Sequence, residues 1–221
     1  AYQLPALPSS WSNLSASQAA KYGAGQTIYI VDAMHDPNIA AELNAFNTAF
    51  GLPTCTTSLL TPTTALPLAS ADVSKGCEFV VAYSNASSIT ATPPTYDSDW
   101  ATEIALDVQW AHATAPLARI VLIEAPSASV NDLLGAVNLA NAMGPGVVSM
   151  SFGANEGSWM SSVDSAFSAA NMTYLAATGD SGKGVSWPSA SSQVLAVGGT
   201  SLSSYTSTSR NEVAWTSTGG G

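Results

Sequence analysis

The sequence predicts an α/β fold with a doubly wound, mostly parallel sheet and helices on both faces. Short apolar runs rich in β-branched residues alternate with longer segments that have helical composition. The runs lack alternating polar residues, which is typical of strands buried on both faces. Capping and stop residues separate the two kinds of segment. Alternation of this kind indicates parallel strands joined by helices, with the functional groups at the carboxyl ends of the strands.

Six short apolar runs have the composition of buried strands. The predicted strands are Thr27–Val31, Phe79–Tyr83, Ile120–Ile123, Val147–Met150, Tyr174–Ala177 and Val194–Val197. Two further segments, Thr54–Gly76 and Ser201–Arg210, are rich in Ser and Thr and are expected to be exposed loops.

Four longer segments between these runs are predicted helices. They are Pro37–Phe50, Asp97–His112, Ser129–Met143 and Ser158–Asn171. Asp36 before Pro37 has the form of an N-cap followed by proline at the first helical position. Ser129 is a similar start, and Gly144-Pro145 is a stop signal.

Length and charge limit the possible functions. A chain of 221 residues suffices for one substantial core. Fifteen Asp and Glu against five Lys and Arg give a net charge of -10, which disfavours nucleic acid as a partner. No apolar run is long enough to span a membrane. Because few bases remain charged once the carboxylates are protonated, the chain is expected to tolerate acid, which is compatible with secretion.

The two cysteines, Cys55 and Cys77, lie at the ends of the Thr/Ser/Pro-rich segment. We expect a disulfide that closes this loop in an exported protein. Two free buried thiols are the alternative. Since no Cys/His metal-binding spacing is present, no metal site is expected in this chain.

The most informative pair is Glu103 and Asp107, one helical turn apart on the same helix face. Apolar residues surround the pair on nearly every side, so the helix is expected to be buried. Neighbouring buried carboxylates share a proton, which suits general acid/base chemistry. The alternative is a solvated pair on an exposed helix. The scarcity of charge, 9% of residues, favours the first interpretation.

Three glycine-containing segments follow predicted strands. They are Ser151-Phe-Gly153, Gly179-Asp-Ser-Gly182 and Gly198-Gly-Thr-Ser201. Glycines there allow a substrate to approach the backbone. For Asp180, closure of an Asx turn is as well supported locally as a catalytic role.

Together, these segments resemble the sedolisin (serine-carboxyl peptidase) family, acid-acting relatives of subtilisin. The resemblance extends over residues 1–221 as the N-terminal and central part of a catalytic domain. Its specific stretches are Glu103 to Pro116, Ser149-Met-Ser-Phe-Gly153, Ala177-Thr-Gly-Asp180-Ser-Gly182, Trp187-Pro-Ser-Ala-Ser-Ser and Ala196-Val-Gly-Gly-Thr200.

The resemblance implies a role for each matched residue. Glu103 matches the general base, Asp107 the carboxylate that orients this base, and Asp180 the oxyanion-hole acid. Ser151 and Gly153 match the strand that pairs with the substrate backbone. A glutamate base suits acid conditions, in which histidine would be protonated. The expected activity is therefore an acid-acting endopeptidase that uses a Ser-Glu-Asp triad on protein or peptide substrates.

The nucleophile motif of the family, Gly-Thr-Ser-x-x-x-Pro, is not matched here. Gly199-Thr-Ser201 lacks the proline, so Ser201 is expected to be structural. The resemblance places the nucleophile and a calcium site beyond Gly221. The domain is thus expected to be incomplete at its C-terminus and inactive alone, with a pro-segment and the C-terminal part as partners.

Other positions depart from the family or suggest other functions. Asp32 and Phe152 stand where some relatives have a glutamate and a tryptophan, and phenylalanine cannot donate a hydrogen bond. His112 is expected to be a packed structural residue and His35 a loop residue. A non-catalytic surface or binding module that lost its nucleophile is the alternative function. Nucleotide binding is disfavoured because Gly23-Ala-Gly25 precedes its strand.

Overall fold

The strands of the computed structural model, which describes residues 2 and 4–220, form one large sheet and a separate hairpin. The sheet order is β2-β3-β5-β1-β6-β7-β8, all parallel, and β4 pairs antiparallel with β3. Strands β9 and β10 form the antiparallel hairpin. The bounds are β1 Thr27–Ala33, β2 Thr56–Leu59, β3 Glu78–Asn85, β4 Ser88–Thr90, β5 Arg119–Ala125, β6 Gly146–Met150, β7 Met172–Ala177, β8 Leu195–Val197, β9 Thr200–Tyr205 and β10 Arg210–Ala214.

Helices cover both faces of the sheet, so the predicted fold class is confirmed. The helices are α1 Ala16–Ala20, α2 Ile39–Phe50, α3 Ser98–Thr114, α4 Val130–Met143 and α5 Met160–Val163, and a 3₁₀ turn follows at Asp164–Phe167. Helices α2 and α3 pack on one face through a core that includes Ile39, Leu43 and Ile104. Helix α4 packs on the other face through Leu133, Val137 and Leu139.

All six predicted strands are present, and the structure adds four that the sequence did not indicate. One of them, β2, lies inside the predicted loop Thr54–Gly76 and is exposed along its whole length. Its Thr and Ser residues give no apolar pattern, and parallel backbone pairing with β3 holds it at the sheet edge. The predicted loop Ser201–Arg210 is exposed, but its first half, up to Tyr205, belongs to β9 and Arg210 begins β10.

Helix boundaries were predicted with mixed success. Ser129 caps α4 by accepting a hydrogen bond from the Asp132 backbone at 3.2 Å, and α4 ends at Gly144, where φ is 112°. The predicted Asp36 cap is wrong: α2 begins at Ile39, and the Asp36 carboxylate instead accepts from the Asn38 backbone. Asp36 therefore closes a turn before the helix.

The predicted helix Ser158–Asn171 is wrong in its length. Only Met160–Val163 is α-helical, and the 3₁₀ turn follows it. The segment is rich in Ser and Asn, which favour turns over helix interiors. Its large apolar residue Phe167 is buried against Tyr174 and Trp187, so packing on the sheet determines the local path of the chain.

The disulfide Cys55–Cys77 is present, as expected. His112, the buried residue in the last turn of α3, contacts both sulfurs and hydrogen-bonds the Pro53 carbonyl at 3.2 Å. Its role as a packed structural histidine is confirmed. Among residues 2 and 4–220, no helix is long and apolar enough to cross a bilayer.

Candidate active site

Helix α3 carries Glu103 and Asp107 to the carboxyl edge of the sheet. The helix is capped by Asp97, whose carboxylate accepts from the Asp99 and Trp100 backbone at 3.0 Å each. Burial on nearly every side was predicted, but this is wrong. Only one stripe, Ile104, Val108 and His112, is buried, while Leu106 and Trp110 are 48% and 63% exposed. Glu103 and Asp107 lie beside this stripe and are half-buried.

Ser151 meets both carboxyl groups. Strand β6 ends at Met150, so Ser151 is the first residue past the sheet edge. Its side chain interacts with Glu103 and with Asp107, and this hydrogen bonding lowers the pKa of each. A pocket of about 220 Å³ opens at this point and is lined by Asp99, Trp100, Glu103 and Ser151. The base assigned from the sequence therefore faces a cavity that contains a hydroxyl group.

The acid pair retains protons more strongly than free carboxyl groups do. Burial and, to a smaller extent, the charge of Glu103 together raise the pKa of Asp107 to about 6, against the opposing effect of the Ser151 hydrogen bond. Burial also raises the pKa of Glu103, and the charge of Asp180 adds to this increase. Two such neighbouring groups titrate together, as expected for carboxyls that share a proton.

Asp180 lies in the loop after β7 and is exposed to solvent. Its effect on the pKa of Glu103 places the two carboxyl groups close to each other. The preceding Gly179 has φ of 104°, a conformation that favours glycine. The loop is held by the Gly179 carbonyl, which accepts from the Gly219 backbone at 2.7 Å. Asp180 therefore lies near Glu103, and a shared catalytic role for Glu103, Asp107 and Asp180 stays a prediction.

The segment 151–154 leaves β6 and pairs with another stretch of backbone. Ala154 and Trp187 exchange two hydrogen bonds of 2.8 and 2.9 Å. A side chain at the exposed Gly153 would place its Cβ 2.8 Å from the Ser186 Cβ, so packing requires glycine there. Pairing of Ser151 and Gly153 with substrate stays a prediction.

A second group of polar residues joins Asp32 and Ser151, which the sequence had singled out, to Tyr83 and Glu124, which it had not. Asp32 and Glu124 are register partners on β1 and β5, and Tyr83 on β3 pairs with Glu124. Ser151 follows Met150, the partner of Val31, and so lies beside Asp32. We call Tyr83, Glu124, Asp32 and Ser151 the polar row. The missed signal was Glu124 itself, a single acid directly after the apolar run Ile120–Ile123.

Glu124 is buried and firmly held. One carboxylate oxygen lies 2.6 Å from His35 Nδ1, and the other accepts from the Asp36 backbone at 3.2 Å. Burial raises the pKa of Glu124 to about 7, although the His35 bond lowers it. His35 is thus more than the loop residue expected: it forms a bridge with Tyr96 and its ring packs edge-on against Tyr83.

Asp32 is fully buried, and neither of its oxygens has a hydrogen-bond partner within the described part of the chain. Burial raises its pKa well above the ordinary value, and Asp107, Glu103 and Glu124 raise it further. Phe152, which stands where some relatives have a tryptophan, is buried against Trp187. As expected, its ring offers no hydrogen-bond donor. Ser201 lies on the exposed strand β9, opposite Val213.

Metal ligation is not supported by the described side chains. Among residues 2 and 4–220, only Cys55, Cys77 and His112 place three potential ligand atoms close together. Both sulfurs belong to the disulfide and are not thiolates, the form in which cysteine binds metals. This trio therefore packs the end of α3.

Comparison with known proteins identifies relatives of this chain in sequence and in fold. A model of the subtilase family matches residues 82–219. Kumamolisin from Bacillus sp. (strain MN-32) is 35% identical over 144 residues, an alignment that covers 54% of this chain and 26% of kumamolisin. Among solved structures, Pseudomonas sedolisin, a serine-carboxyl proteinase complexed with two molecules of pseudo-iodotyrostatin, matches with a TM-score of 0.64 and 24% identity.

The structural match covers 87% of this chain and 53% of the sedolisin chain. The chain thus spans about half the length of that solved relative and about a quarter of kumamolisin. The family model covers well over half of the 221 residues and includes Glu103, Asp107, Ser151 and Asp180. The chain therefore belongs to the subtilase family, and its resemblance to the sedolisins is confirmed.

Proposed function

We propose that this chain supplies the acid-base residues of an acid-acting serine-carboxyl endopeptidase that hydrolyses peptide bonds in proteins. The observation that supports this most is that Ser151 interacts with both Glu103 and Asp107 at a pocket lined by Glu103 and Ser151, with Asp180 near Glu103. Membership of the subtilase family agrees with peptidase chemistry. The raised pKa values of the two helical acids agree with a proton-sharing pair that operates in acid.

In the proposed reaction, Glu103 removes the proton from a serine hydroxyl as its oxygen bonds to the substrate carbonyl carbon. Asp107 orients Glu103 and shares the proton. Glu103 then returns the proton to the leaving amine as the C–N bond breaks, which leaves an acyl-enzyme. Water deprotonated by Glu103 attacks the ester, and the serine recovers its proton as it leaves.

Asp180 acts on the carbonyl oxygen in this proposal. In its protonated form it donates a hydrogen bond to the oxyanion of the tetrahedral intermediate. Ser151 and Gly153 pair with the substrate backbone beside the scissile bond. Both roles are taken from the resemblance. Ser151 lines the pocket, and Asp180 lies near Glu103.

The nucleophile in this proposal is a serine outside residues 1–221, and Ser151 is the competing hydroxyl because it contacts both carboxyl groups. We also propose export, which the disulfide supports. A pro-segment, a C-terminal part and a calcium site within that part complete the proposed enzyme, and no step above depends on calcium.

The first experiment uses a longer protein that includes the proposed nucleophile, and it measures hydrolysis of a denatured protein substrate from pH 3 to 8. We expect activity in acid that Glu103→Gln lowers by about 10²–10⁴-fold, because the base is lost. Glu156→Gln, an exposed acid outside the site, is the matched control and should keep full activity. Unchanged hydrolysis by Glu103→Gln would remove the assigned base. Absence of hydrolysis at every pH would favour the non-catalytic module.

A second experiment identifies the nucleophile. The protein is treated with a fluorophosphonate probe, which phosphonylates activated serines, and the modified peptide is identified by mass spectrometry. We expect the label on a serine outside the 221 residues and none on Glu103→Gln. A label on Ser151 would assign the nucleophile to Ser151 and contradict this part of the proposal.

A further inference from the structure

The polar row lies directly beneath the helix that carries the acid pair. Helix α3 contacts both β1 and β5, the strands that contribute Asp32 and Glu124. Paired residues of parallel strands project from the same face of the sheet. Since Ile30 and Leu122, two positions earlier, belong to the core that α2 and α3 cover, Asp32 and Glu124 project from that face of the sheet. Asp107 and Glu103 of α3 act on Asp32 directly.

The residues two positions earlier on the same three strands are all apolar. Val81, Leu122 and Ile30 pair across β3, β5 and β1 and pack in the core under α2 and α3. The polar row repeats this geometry at the carboxyl edge, but with ionisable groups in place of aliphatic ones. Neighbouring strands are about 4.8 Å apart, so the side chains of Asp32 and Glu124 are adjacent.

Negative charge in the polar row has little compensation. The ionisable groups that face it are Glu103 and Asp107 from α3, Tyr83 from β3, and His35 and Asp36 from the segment after β1. Glu42 on α2 in turn faces Asp36. In the part of the chain described, no lysine or arginine forms an ion pair with these acids, and His35, which pairs with Glu124, is the one basic side chain that does.

We propose that the polar row is a pH-dependent switch that holds α3 on the sheet while Asp32 and Glu124 are protonated and loosens it once they ionise. Protonated carboxyl groups are uncharged and can be buried under the helix. Ionised, they form adjacent negative charges in a site of low dielectric and face Asp107 from below. The result is repulsion between the sheet and α3, which displaces Glu103 and Asp107.

Burial supports this direction of change. Asp32 and Glu124 are both fully buried, and the two buried oxygens of Asp32 and one of Asp107 lack hydrogen-bond partners within residues 2 and 4–220. The pKa of Glu124, raised by burial to about 7, places its ionisation at neutral pH. The switch therefore goes beyond the proposed peptidase function and does not depend on it.

Thermal unfolding at two pH values tests the switch. The proteins compared are the wild type, Glu124→Gln, which keeps the shape of the side chain without its charge, and the surface control Glu156→Gln. At pH 8 we expect Glu124→Gln to unfold on the order of 5–10 °C above the wild type, and at pH 4.5 no higher than it. The control should follow the wild type at both pH values. No increase at pH 8, or an equal increase at both values, would overturn the proposal.

Amide hydrogen exchange shows whether α3 responds locally. After correction for the intrinsic pH dependence of exchange, we expect wild-type Ile104 and Val108 amides to lose protection at pH 8 relative to pH 4.5. The α4 amides of Val137 and Leu139 should stay protected. Asp32→Asn, an isosteric variant, should retain protection in α3 at pH 8, as Glu124→Gln should. Equal loss of protection in α3 and α4 would indicate global unfolding and contradict a local switch.

Discussion

Glu103 and Asp107 have different surroundings although they are one helical turn apart. Glu103 lines the open pocket and is affected by the charge of Asp180. Asp107 lies deeper, and its Oδ2 is buried without a partner in the described residues. The outer group is therefore placed to contact a substrate, while the inner group is placed to hold a proton. This difference supports the assignment of Glu103 as base and Asp107 as the orienting acid.

The role of Asp180 can be tested by two substitutions. If Asp180 donates a hydrogen bond to the oxyanion, Asp180→Ala should lower kcat by about 10²–10³-fold, because one oxyanion donor is lost. Asp180→Asn keeps an N–H donor that does not titrate, so it should retain more activity than the alanine variant. The measurement is kcat and KM of both variants between pH 3 and 7. Equal and small losses in kcat would show that Asp180 only closes a turn.

At the scale of elements, the sequence was informative where one physical effect dominates. Buried parallel strands are continuous apolar runs, and six were found from that property alone. Ser129 and Gly144 marked α4 correctly because capping is a local interaction. The exposed strand β2 was missed because backbone pairing determines it, and the helix at α5 was predicted too long because the burial of Phe167 determines the path of that segment.

In the candidate site too, residues placed by local structure could be predicted from the sequence, and residues brought together by strand pairing could not. Glu103 and Asp107 could be found because their spacing along a helix is visible in the sequence. Glu124 and His35 are 89 positions apart in the chain and meet only through the pairing of β1 with β5. The amphipathic stripe of α3 was also misjudged, since exposed Leu106 and Trp110 resemble core residues in the sequence.

The N-cap residue of α3, Asp97, is expected to stabilise the helix that carries the acid pair. Asp97→Ala removes the acceptor for two backbone donors and should lower the free energy of unfolding by about 1 kcal/mol. Ser98→Ala, the neighbouring exposed position, is the control. Urea denaturation at pH 5 measures the difference. A cost no greater than that of the control would show that the cap does not stabilise α3.

For the whole molecule, the balance of charge determines how stability varies with pH. Asp107 and Glu124 have pKa values raised by burial, from 3.8 to about 6 and from 4.5 to about 7. The stability that these groups contribute in their protonated form is complete below the unfolded-state pKa values, 3.8 and 4.5. It is lost as pH rises through the folded-state values, about 6 and about 7. His112 acts in the opposite direction: burial lowers its pKa from 6.5 to about 4, so stability is lost as pH falls through that range.

On acidification, protonation of Asp107 and of Glu124 each stabilises the fold, and protonation of His112 destabilises it by a similar amount. The two stabilising contributions together exceed the destabilising one. We therefore expect the protein to be more stable at pH 4 than at pH 7.5, by on the order of 3 kcal/mol. Urea denaturation at the two pH values measures this difference. Greater stability at pH 7.5 would show that these carboxyl groups do not retain their protons in the fold. His112→Gln should add to the stability gained on acidification, because the opposing histidine is then absent.

The central claim is that Glu103 and Asp107 form one coupled, partly buried acid pair, and NMR titration of the Asp107 side-chain carboxyl tests it most directly. We expect an apparent pKa of about 6 in the wild type and a lower pKa in Glu103→Gln, since the neighbouring charge contributes to the increase. A pKa near 3.8 that is unaffected by the substitution would mean two independent solvated carboxylates, and it would contradict the proposed site.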